Sequence, residues 1–373
     1  MTTASTRFSS PALLAACALA GAVTAGCGHE YGIAQPVDVD PADVLTCGFT
    51  PISGTHASVY DCNPVFTGTG EPWTTDDGFV SVGFRAQIVL GHPFYQIWYS
   101  SRSSATNYGL GYAISTDGTT WEANPANPVI ASSAGWDADL MDQVVVVWDD
   151  ARGEYVLAYQ GVNLGANRWG IGVLESPDGI GWSAVGGDGT DPYLDLTAPV
   201  DDIAYCWPVG FSWDATSGYF GYLAGGPAGA GVCQMYRFSA QDLGAGLQID
   251  PSPVLETGPE PYDAAGISSG AVVKYDGFWY LFYVAFAEWG QGNGYQYGVD
   301  HSLNLATSRD GIHWTKDASN PLPVALSNPG GVSSVAAQVV GSRIHLWVTD
   351  YYEDLDQSAV GYYLYEPDVA IHP

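Results

Sequence analysis

The chain has 373 residues, of which 40 are acidic and 10 are basic, so its formal net charge is −30. This charge excludes a basic surface that neutralises phosphates, so nucleic-acid binding is not expected, and an anionic membrane surface would repel the chain. Because 46% of the residues are hydrophobic and 13% are aromatic, the chain can still bury a large core. The acids comprise 30 Asp and 10 Glu, and there are 47 Gly and 23 Pro. This composition is typical of a mostly β fold with many turns.

The N-terminus has the pattern of an export signal. Residues 1–26 contain one base, Arg7, and no acid, and an apolar run extends from Pro11 to Val23. That run is too short and too rich in Ala for a membrane span, which predicts a secretory signal peptide. Val23–Cys27 resembles a bacterial lipobox, in which Cys27 would be lipidated. Thr24 departs from the Leu that is usual there, so ordinary cleavage near Ala25 is the alternative.

These features predict three segments: a lipoprotein signal peptide over 1–26, a polar tether over 27–46 and one domain over 47–373. The expected location is the cell envelope, outside the cytoplasm, with a lipid anchor in the outer membrane or at the cell surface. Cleavage before Cys27 removes Cys17, and lipidation of Cys27 leaves four cysteines, an even number that suits an oxidising compartment. Four cysteines allow three pairings, and we favour the two local ones, Cys47–Cys62 and Cys206–Cys233.

A heptapeptide recurs along the chain. It reads Ser-Thr-Asp-Gly-Thr-Thr-Trp over Ser115–Trp121, and related copies occupy Ser176–Trp182 and Ser308–Trp314. The steps between the Asp positions predict a degenerate fourth copy, which matches Ser239–Asp242 and gives a period of about 65 residues. In each unit an apolar strand, an aromatic strand and a third strand precede the heptapeptide, and its Trp opens a fourth strand. Four strands in each unit are typical of a propeller blade.

Five such units fit the chain, so we predict an all-β, five-bladed β-propeller with four-stranded antiparallel blades. The predicted first strands begin near Arg85, Asp142, Trp207, Ser269 and Val335. The last unit has only about three strands before the chain ends, and we predict that the stretch His56–Phe66 supplies its fourth strand. Closing the ring in this way removes exposed sheet edges.

The heptapeptides, together with Asn127-Pro128-Val129 and Asn320-Pro321-Leu322, resemble the five-bladed furanosidase-type propellers. That group includes glycoside hydrolase families 43, 62 and 32 and the related phosphorylases of family 130. The resemblance covers roughly residues 66–373, and it is specific for the fold rather than for any one family. It implies that the heptapeptide is structural, with the Asp bonded to its own backbone and the Trp packed between blades.

In the resembling enzymes, carboxylates at the start of the innermost strands act in a central funnel, because cleavage of a glycosidic bond needs one acid and one opposed carboxylate. Loops between blades and loops from second to third strands should share the funnel mouth. The residues expected there are Asp76, Asp77, Arg85, Arg102, Asp137, Asp139, Asp142, Arg168, Asp201, Asp202, Trp207, Asp263, Glu288, Trp289, His301, Asp350 and Glu353. Of the five positions at which first strands begin, only Asp142 is acidic, which departs from the three carboxylates of the active families.

Two groups of candidate site residues follow. Catalytic candidates are Asp142, which should be partly buried at its strand start, the loop residues Asp77 and Asp202, and Glu288, whose aromatic surroundings suit a general acid. Candidates for binding substrate are Arg85, Trp207, Asp263 and Trp289.

No cofactor or metal site is expected from the motifs, because the His residues have no zinc spacing. Asp-rich loops could hold Ca²⁺, but no Asp-x-Asp-x-Asp-Gly loop is present. The expected partner is a neutral carbohydrate bound by a monomer, with no nucleic acid and with membrane contact only through the N-terminal lipid.

Two functions stay open at this stage. One is a glycoside hydrolase, and the other is a non-catalytic propeller anchored at the envelope that binds glycan or protein partners. A six-bladed sialidase is disfavoured, because its Asp box has one more residue between Asp and Trp and its site needs three convergent arginines.

Overall fold

The computed structural model describes residues 45–67, 79–89, 92–104, 107–132, 135–186, 189–199, 203–215, 217–292, 295–323, 331–352 and 357–367. These residues form β-strands and two short 3-10 turns, Leu243–Ala245 and Pro261–Asp263. No helix in the described part of the chain is long and apolar enough to cross a membrane.

The strands form five antiparallel sheets, here called blades 1 to 5 in chain order. Three short strands come first: β1 (Phe49–Pro51), β2 (Ala57–Tyr60) and β3 (Phe66–Thr67). Blade 1 contains β4 (Phe79–Val89), β5 (His92–Ser104), β6 (Asn107–Ser115), β7 (Glu122–Ala123) and β8 (Ile130–Ala131). Blade 2 contains β9 (Leu140–Asp149), β10 (Glu154–Asn163), β11 (Arg168–Ser176), β12 (Ser183–Ala184) and β13 (Leu194–Asp195).

Blade 3 contains β14 (Ile203–Asp214), β15 (Gly218–Pro227), β16 (Gln234–Ala240) and β17 (Gln248–Leu255). Blade 4 contains β18 (Gly266–Tyr275), β19 (Phe278–Gly292), β20 (Tyr295–Ser308) and β21 (Trp314–Lys316). Blade 5 contains β22 (Ser334–Val340), β23 (Arg343–Tyr352) and β24 (Gln357–Tyr365), together with β1, β2 and β3.

The first strands of the five blades form the inner wall of a ring. β4, β9, β14, β18 and β22 each pack against the first strands of both neighbouring blades, and β22 returns to β4. The buried apolar clusters lie between successive blades, as where Val156 and Val173 of blade 2 meet Leu223 and Phe238 of blade 3. The predicted five-bladed propeller is therefore confirmed.

The N-terminal strands close the ring, as predicted. β2 pairs with β24 and supplies the fourth strand of blade 5. The Asn63 side chain extends this pairing, because its Oδ1 accepts from the Tyr362 N–H at 2.7 Å and its Nδ2 donates to the Tyr362 carbonyl at 3.1 Å. Asn127 and Asn320 bond to the third strands of blades 1 and 4 in the same way. Asn63-Pro64-Val65 is thus a third copy of the Asn-Pro motif, which the sequence reading did not use.

The repeated heptapeptide is structural, as the resemblance implied. Asp178 Oδ1 accepts from the backbone N–H groups of Ile180 and Gly181, and the corresponding Asp residues of blades 1 and 4 do the same. The Gly179 carbonyl then accepts from Trp98 Nε1 of the preceding blade at 2.8 Å. Trp182 also packs edge-on against Trp98, with 6.2 Å between ring centroids. Each of these turns therefore joins two blades, and its Asp stabilises the turn by binding backbone N–H groups.

The predicted disulfide Cys47–Cys62 is present, with 5.9 Å between the Cα atoms. It lies at the open ends of the β1–β2 hairpin. Cys233 is disulfide-bonded as well. The side chain of its predicted partner, Cys206, lies outside what the structure describes.

Candidate functional site

One end of the propeller contains the strand ends that sequence topology assigned to the funnel mouth. Within blade 2, the start of β9 pairs with the end of β10, and the end of β10 pairs with the start of β11. The heptapeptide turns follow the ends of the third strands and therefore lie at the opposite end. We call the first end the mouth, and the starts of the first strands form its inner rim.

Strand register identifies equivalent positions around this rim. In each blade we start from the residue that lies five positions before the end of the third strand. Its partner on the second strand is paired in turn with one residue of the first strand. These five residues, here called the mouth row, are Ser81, Asp142, Trp207, Ser269 and Ser334. Asp142, Trp207 and Ser269 match the sequence alignment of first strands.

The other two aligned positions were wrong. Arg85 is the seventh residue of β4, which begins at Phe79, and it pairs with Gln96 well below the rim. The side chain of Arg85 lies outside what the structure describes. Val335 follows the row residue Ser334 by one position, which turns the two side chains to opposite faces of the strand. Asp142 remains the single acidic residue of the mouth row.

β-Bulges flank the mouth row in four blades. The register shifts between Phe79 and Ser81, between Tyr205 and Trp207, and between Ile267 and Ser269. In blade 2 the shift follows Asp142 and places two residues of β9 opposite Tyr159 of β10. A bulge bends its strand and re-aims the adjacent side chains, and bulges are frequent at the rims of barrels and beside active sites. The rim of the funnel is therefore shaped by irregular backbone.

Asp142 lies on this rim with 8% of its surface exposed. Its Oδ1 accepts from the Gln143 backbone N–H at 2.6 Å, and the Oγ of Ser100, on β5 of blade 1, lies 3.5 Å from the same oxygen. The carboxylate is therefore held at the junction of blades 1 and 2. The predicted partial burial at a strand start is confirmed, and an oriented carboxylate in a dry setting can act as an acid, a base or a nucleophile.

A second buried carboxylate, Asp137, lies in the loop that leads into β9. Its Oδ2 accepts from the Tyr159 hydroxyl at 2.9 Å, and burial, followed by the charge of Asp137, raises the pKa of Tyr159. The Trp136 ring stacks on Tyr159 with 5.6 Å between centroids. Gly161 makes room for this stack, because a Cβ there would lie 2.3 Å from the Trp136 ring. Asp137 was among the residues expected at the mouth, but it was not among the catalytic candidates.

Asp263 has a structural partner. It is fully buried in a 3-10 turn, its Oδ2 lies 2.5 Å from Lys316 Nζ, and its Oδ1 accepts from the Gly258 N–H at 3.0 Å. Burial raises the pKa of Asp263, and the hydrogen bond and charge of Lys316 oppose this rise. A carboxylate with no exposed surface that is engaged by an ammonium group does not present its oxygens to a sugar, so the structure gives Asp263 a role in holding its loop.

Trp207 and Trp289, two residues expected to bind substrate, come together. Their ring centroids are 6.4 Å apart, and Phe286 packs edge-on against Trp289 at 4.7 Å. Trp207 Nε1 donates to the Ile267 carbonyl of blade 4 at 2.8 Å. Both tryptophans are partly exposed. They form an aromatic surface at the mouth, between blades 3 and 4.

Glu288 occupies a different setting from the one expected. β19 and β20 form a hairpin that extends past the mouth row, and Glu288 pairs with Val299 on it. Glu288 lies four positions beyond Val284, the blade 4 residue level with Asp142, and four steps span about 13 Å along a strand. The Glu288 side chain is exposed, whereas the neighbouring Phe286 is fully buried. The expectation of an acid enclosed by aromatic rings was therefore wrong.

Other predicted site residues lie outside the described residues, namely Asp77, Asp202 and the lipidation site Cys27. Among the residues that are described, no group of three or more His, Cys, Asp or Glu side chains could hold a metal ion. Asp350, one residue after the partner of Ser334, is a further fully buried carboxylate at the mouth end of blade 5. It was in the predicted mouth set but was not chosen as catalytic.

No protein-family model matches the chain, and no curated protein matches it either. Solved structures do. A glycoside hydrolase is 12% identical with a TM-score of 0.59, over 82% of this chain and 91% of its own. The β-1,2-mannobiose phosphorylase from Listeria innocua, solved with β-1,2-mannobiose, is 12% identical with a TM-score of 0.59, over 83% and 96%. A thermostable family-43 glycoside hydrolase is 18% identical with a TM-score of 0.52, over 76% and 88%.

At these identities the likeness concerns the fold. The neighbours span most of the chain and share its ring of blades, which confirms the resemblance that the heptapeptides indicated. The chain therefore has the five-bladed, furanosidase-type propeller fold that is found in family-43 glycoside hydrolases and in the mannobiose phosphorylase.

Proposed function

We propose that the protein binds a neutral oligosaccharide at the mouth of its central funnel and hydrolyses a glycosidic bond there. The observation that carries this proposal is Asp142. It is the acidic residue of the mouth row, it is held by the Gln143 N–H and it lies beside a backbone bulge. Oriented, largely buried carboxylates on the inner rim of a funnel are what acid–base cleavage of a sugar requires.

The chemistry needs a second carboxyl group. One carboxylic acid protonates the oxygen that leaves, and the other carboxylate either attacks the anomeric carbon or takes a proton from the attacking water. Asp77 and Asp202 are the proposed partners of Asp142, because they directly precede β4 and β14 in the chain. Glu288 is a weaker candidate, since its exposed position on the β19–β20 hairpin gives it no dry environment.

Charge and surface favour a neutral sugar. A net charge of −30 repels polyanionic substrates and also free phosphate, which favours hydrolysis over phosphorolysis. Trp207 and Trp289 offer partly exposed rings at the mouth, and apolar ring faces with a few polar groups are typical of small-molecule sites. The mannobiose phosphorylase complex makes β-1,2-mannobiose one reasonable test ligand.

The test is a panel assay on the wild type and on Asp142→Asn. Oligosaccharides of arabinan, xylan, fructan and mannan, with β-1,2-mannobiose, are incubated with and without phosphate, and the released sugars are separated. Asn keeps the acceptor oxygen for Gln143 but cannot transfer a proton, so we expect a loss of turnover of about 100-fold or more. Asp139→Asn is the matched control, because it changes a carboxylate of the same loop that caps the Leu164 N–H. Full turnover by Asp142→Asn would contradict the assignment.

A second function has one observation in its favour. Four of the five mouth-row residues are not acidic, whereas the resemblance to active glycoside hydrolase families implies three carboxylates spread over three blades. A propeller with one such carboxylate could bind a glycan without cleaving it. Binding of a panel sugar with no product from the wild type would support this alternative over hydrolysis.

We further propose that the protein is exported and anchored by a lipid on Cys27. The disulfide bonds support export, because Cys47, Cys62 and Cys233 are all disulfide-bonded and disulfides form in oxidising compartments. Labelling of cells with a palmitate analogue should mark the wild type and not Cys27→Ser. Equal labelling of both forms would refute the anchor.

A further inference from the structure

Gln143 has a backbone conformation that its residue type disfavours. Its φ is 52°, in the left-handed region. Among the described residues other than glycine, those sharing this region are Asn167, Asp276 and Asp300, whose short polar side chains tolerate it. A glutamine gains no such local compensation. Strain of this kind persists where the surrounding structure enforces it, and it clusters at functional sites.

The left-handed conformation of Gln143 places its backbone N–H where it can bind the Asp142 carboxylate. The left-handed turn at Gln143 forms the bulge opposite Tyr159 and directs the Gln143 N–H onto Asp142 Oδ1 at 2.6 Å. Glycine would donate the same N–H in this conformation without strain. The backbone task therefore explains the bulge, but it does not explain why a glutamine side chain stands there.

The side chain carries a second cost. Gln143 Oε1 is buried, and it accepts no hydrogen bond from any residue that the structure describes. Buried carbonyl oxygens are nearly always paired, because leaving one without a donor forfeits its hydration. Two unfavourable features thus coincide at one residue next to the candidate catalytic carboxylate. A ligand that donates a hydrogen bond to Oε1 would explain why a glutamine is kept here despite its strained backbone and its unpaired carbonyl.

We propose that the partly exposed Gln143 side chain turns its amide towards the bound substrate, so that the carbonyl accepts a hydrogen bond from a sugar hydroxyl beside Asp142. This inference rests on the proposed function, because it takes the ligand at the mouth to be a neutral oligosaccharide. A hydroxyl is the donor that such a ligand supplies in quantity. An anionic ligand offers acceptors instead, and the carbonyl and the neighbouring carboxylate would both repel it.

Two variants separate this role from a structural one. Gln143→Met keeps the length of the side chain and the left-handed backbone but removes the carbonyl. Gln143→Gly removes the side chain and also relieves the backbone strain. We expect the melting temperature of Gln143→Met to equal or exceed that of the wild type, and that of Gln143→Gly to rise by about 2 °C. Asp276→Gly, in the β18–β19 hairpin at the far end of the propeller, controls for relief of strain alone.

Binding is measured by calorimetry in the Asp142→Asn background, so that the ligand is not consumed. The probes are β-1,2-mannobiose and oligosaccharides of arabinan, xylan, fructan and mannan. For a sugar that binds, Gln143→Met and Gln143→Gly should each weaken affinity by about tenfold, the loss of one hydrogen bond, whereas Asp276→Gly should not change it.

The outcomes are distinguishable. A lower melting temperature for Gln143→Met would show that the carbonyl already has a structural partner, and it would overturn the inference whatever the ligand. Unchanged affinity in both Gln143 variants would also overturn it while leaving the proposed function intact. A protein that binds no sugar in the panel would refute the proposed function, and this contact with it.

Discussion

Replacement of Asn63 with Ala tests how the ring is closed. Its amide makes two bonds to Tyr362 of β24, at 2.7 and 3.1 Å, and Tyr362 is fully buried. The variant removes both bonds, so one N–H and one carbonyl of the Tyr362 backbone lose the partner that Asn63 supplies. Each such group costs about 1–3 kcal/mol, which gives a total of about 2–6 kcal/mol. For a domain of this size we expect the melting temperature to fall by about 4 °C.

The controls come from the same motif. Asn127→Ala breaks an equivalent pair of bonds, 2.8 and 3.1 Å, within the continuous chain of blade 1, together with a bond from Asn127 Nδ2 to the Tyr99 hydroxyl. Asn124→Ala removes an exposed turn bond. Denaturant unfolding should show similar losses for Asn63→Ala and Asn127→Ala and less than about 0.5 kcal/mol for Asn124→Ala. Hydrogen exchange should then accelerate in β2 and β24 for Asn63→Ala alone. A loss below about 0.5 kcal/mol for Asn63→Ala, or identical exchange in both variants, would refute the role of Asn63 in closing the ring.

Three further predictions concern other parts of the fold. Gly161→Ala adds a Cβ 2.3 Å from a buried indole ring and should cost about 2 kcal/mol in urea unfolding, whereas Gly165→Ala, whose Cβ would have its nearest neighbour at 3.5 Å, should change little. Replacing Cys47 and Cys62 together with Ser should remove about 3 kcal/mol, and an unchanged urea midpoint would contradict that estimate. Backbone N–H groups, above all that of His313, lower the pKa of Asp310, so its stabilisation is present above about pH 4 and is lost as the pH falls towards the folded pKa. Melting temperatures from pH 7 to 2 should fall less steeply for Asp310→Asn, and parallel curves would count against this linkage.

The heptapeptide turns were predictable because their bonds are local. Asp178 reaches N–H groups two and three residues ahead, and Ser176 bonds to the same turn. Chemistry that spans so few residues leaves a mark in the sequence, and its repetition counts the blades. The Asn-Pro motif is equally local in its pattern, and its third copy at Asn63 would have given the register of ring closure.

The position of Arg85 was misjudged for a physical reason. First strands are packed on both faces, so their apolar runs lack the alternation that would mark where a strand begins. The bulges add single residues that shift the pairing, as after Asp142, and no residue type signals them reliably. Alignment by apolar runs therefore found three of the five mouth-row residues, and it wrongly assigned Arg85, which lies below the rim, to the row.

The residues of the candidate site also differ in whether the sequence could reveal their roles. Asp142 could be identified because an acid at the head of an apolar run is visible in the chain. The pairing of Asp263 with Lys316 joins residues that are far apart in sequence, and the exposure of Glu288 depends on how far one hairpin extends. Neither the partner of a buried charge nor the solvent around an exposed one follows from neighbouring residues.

Local hydrogen-bonding patterns and apolar periodicity, both written in the sequence, thus specify an acidic, all-β propeller of five blades closed by its N-terminus. Register, bulges and long-range ion pairs depend on contacts between distant segments. These contacts determine which carboxylates lie at the funnel. They bring Trp207 and Trp289 together, keep Asp263 for the fold and leave Asp142 on the rim. The fold follows from interactions repeated along the chain, whereas the site follows from interactions that each occur once.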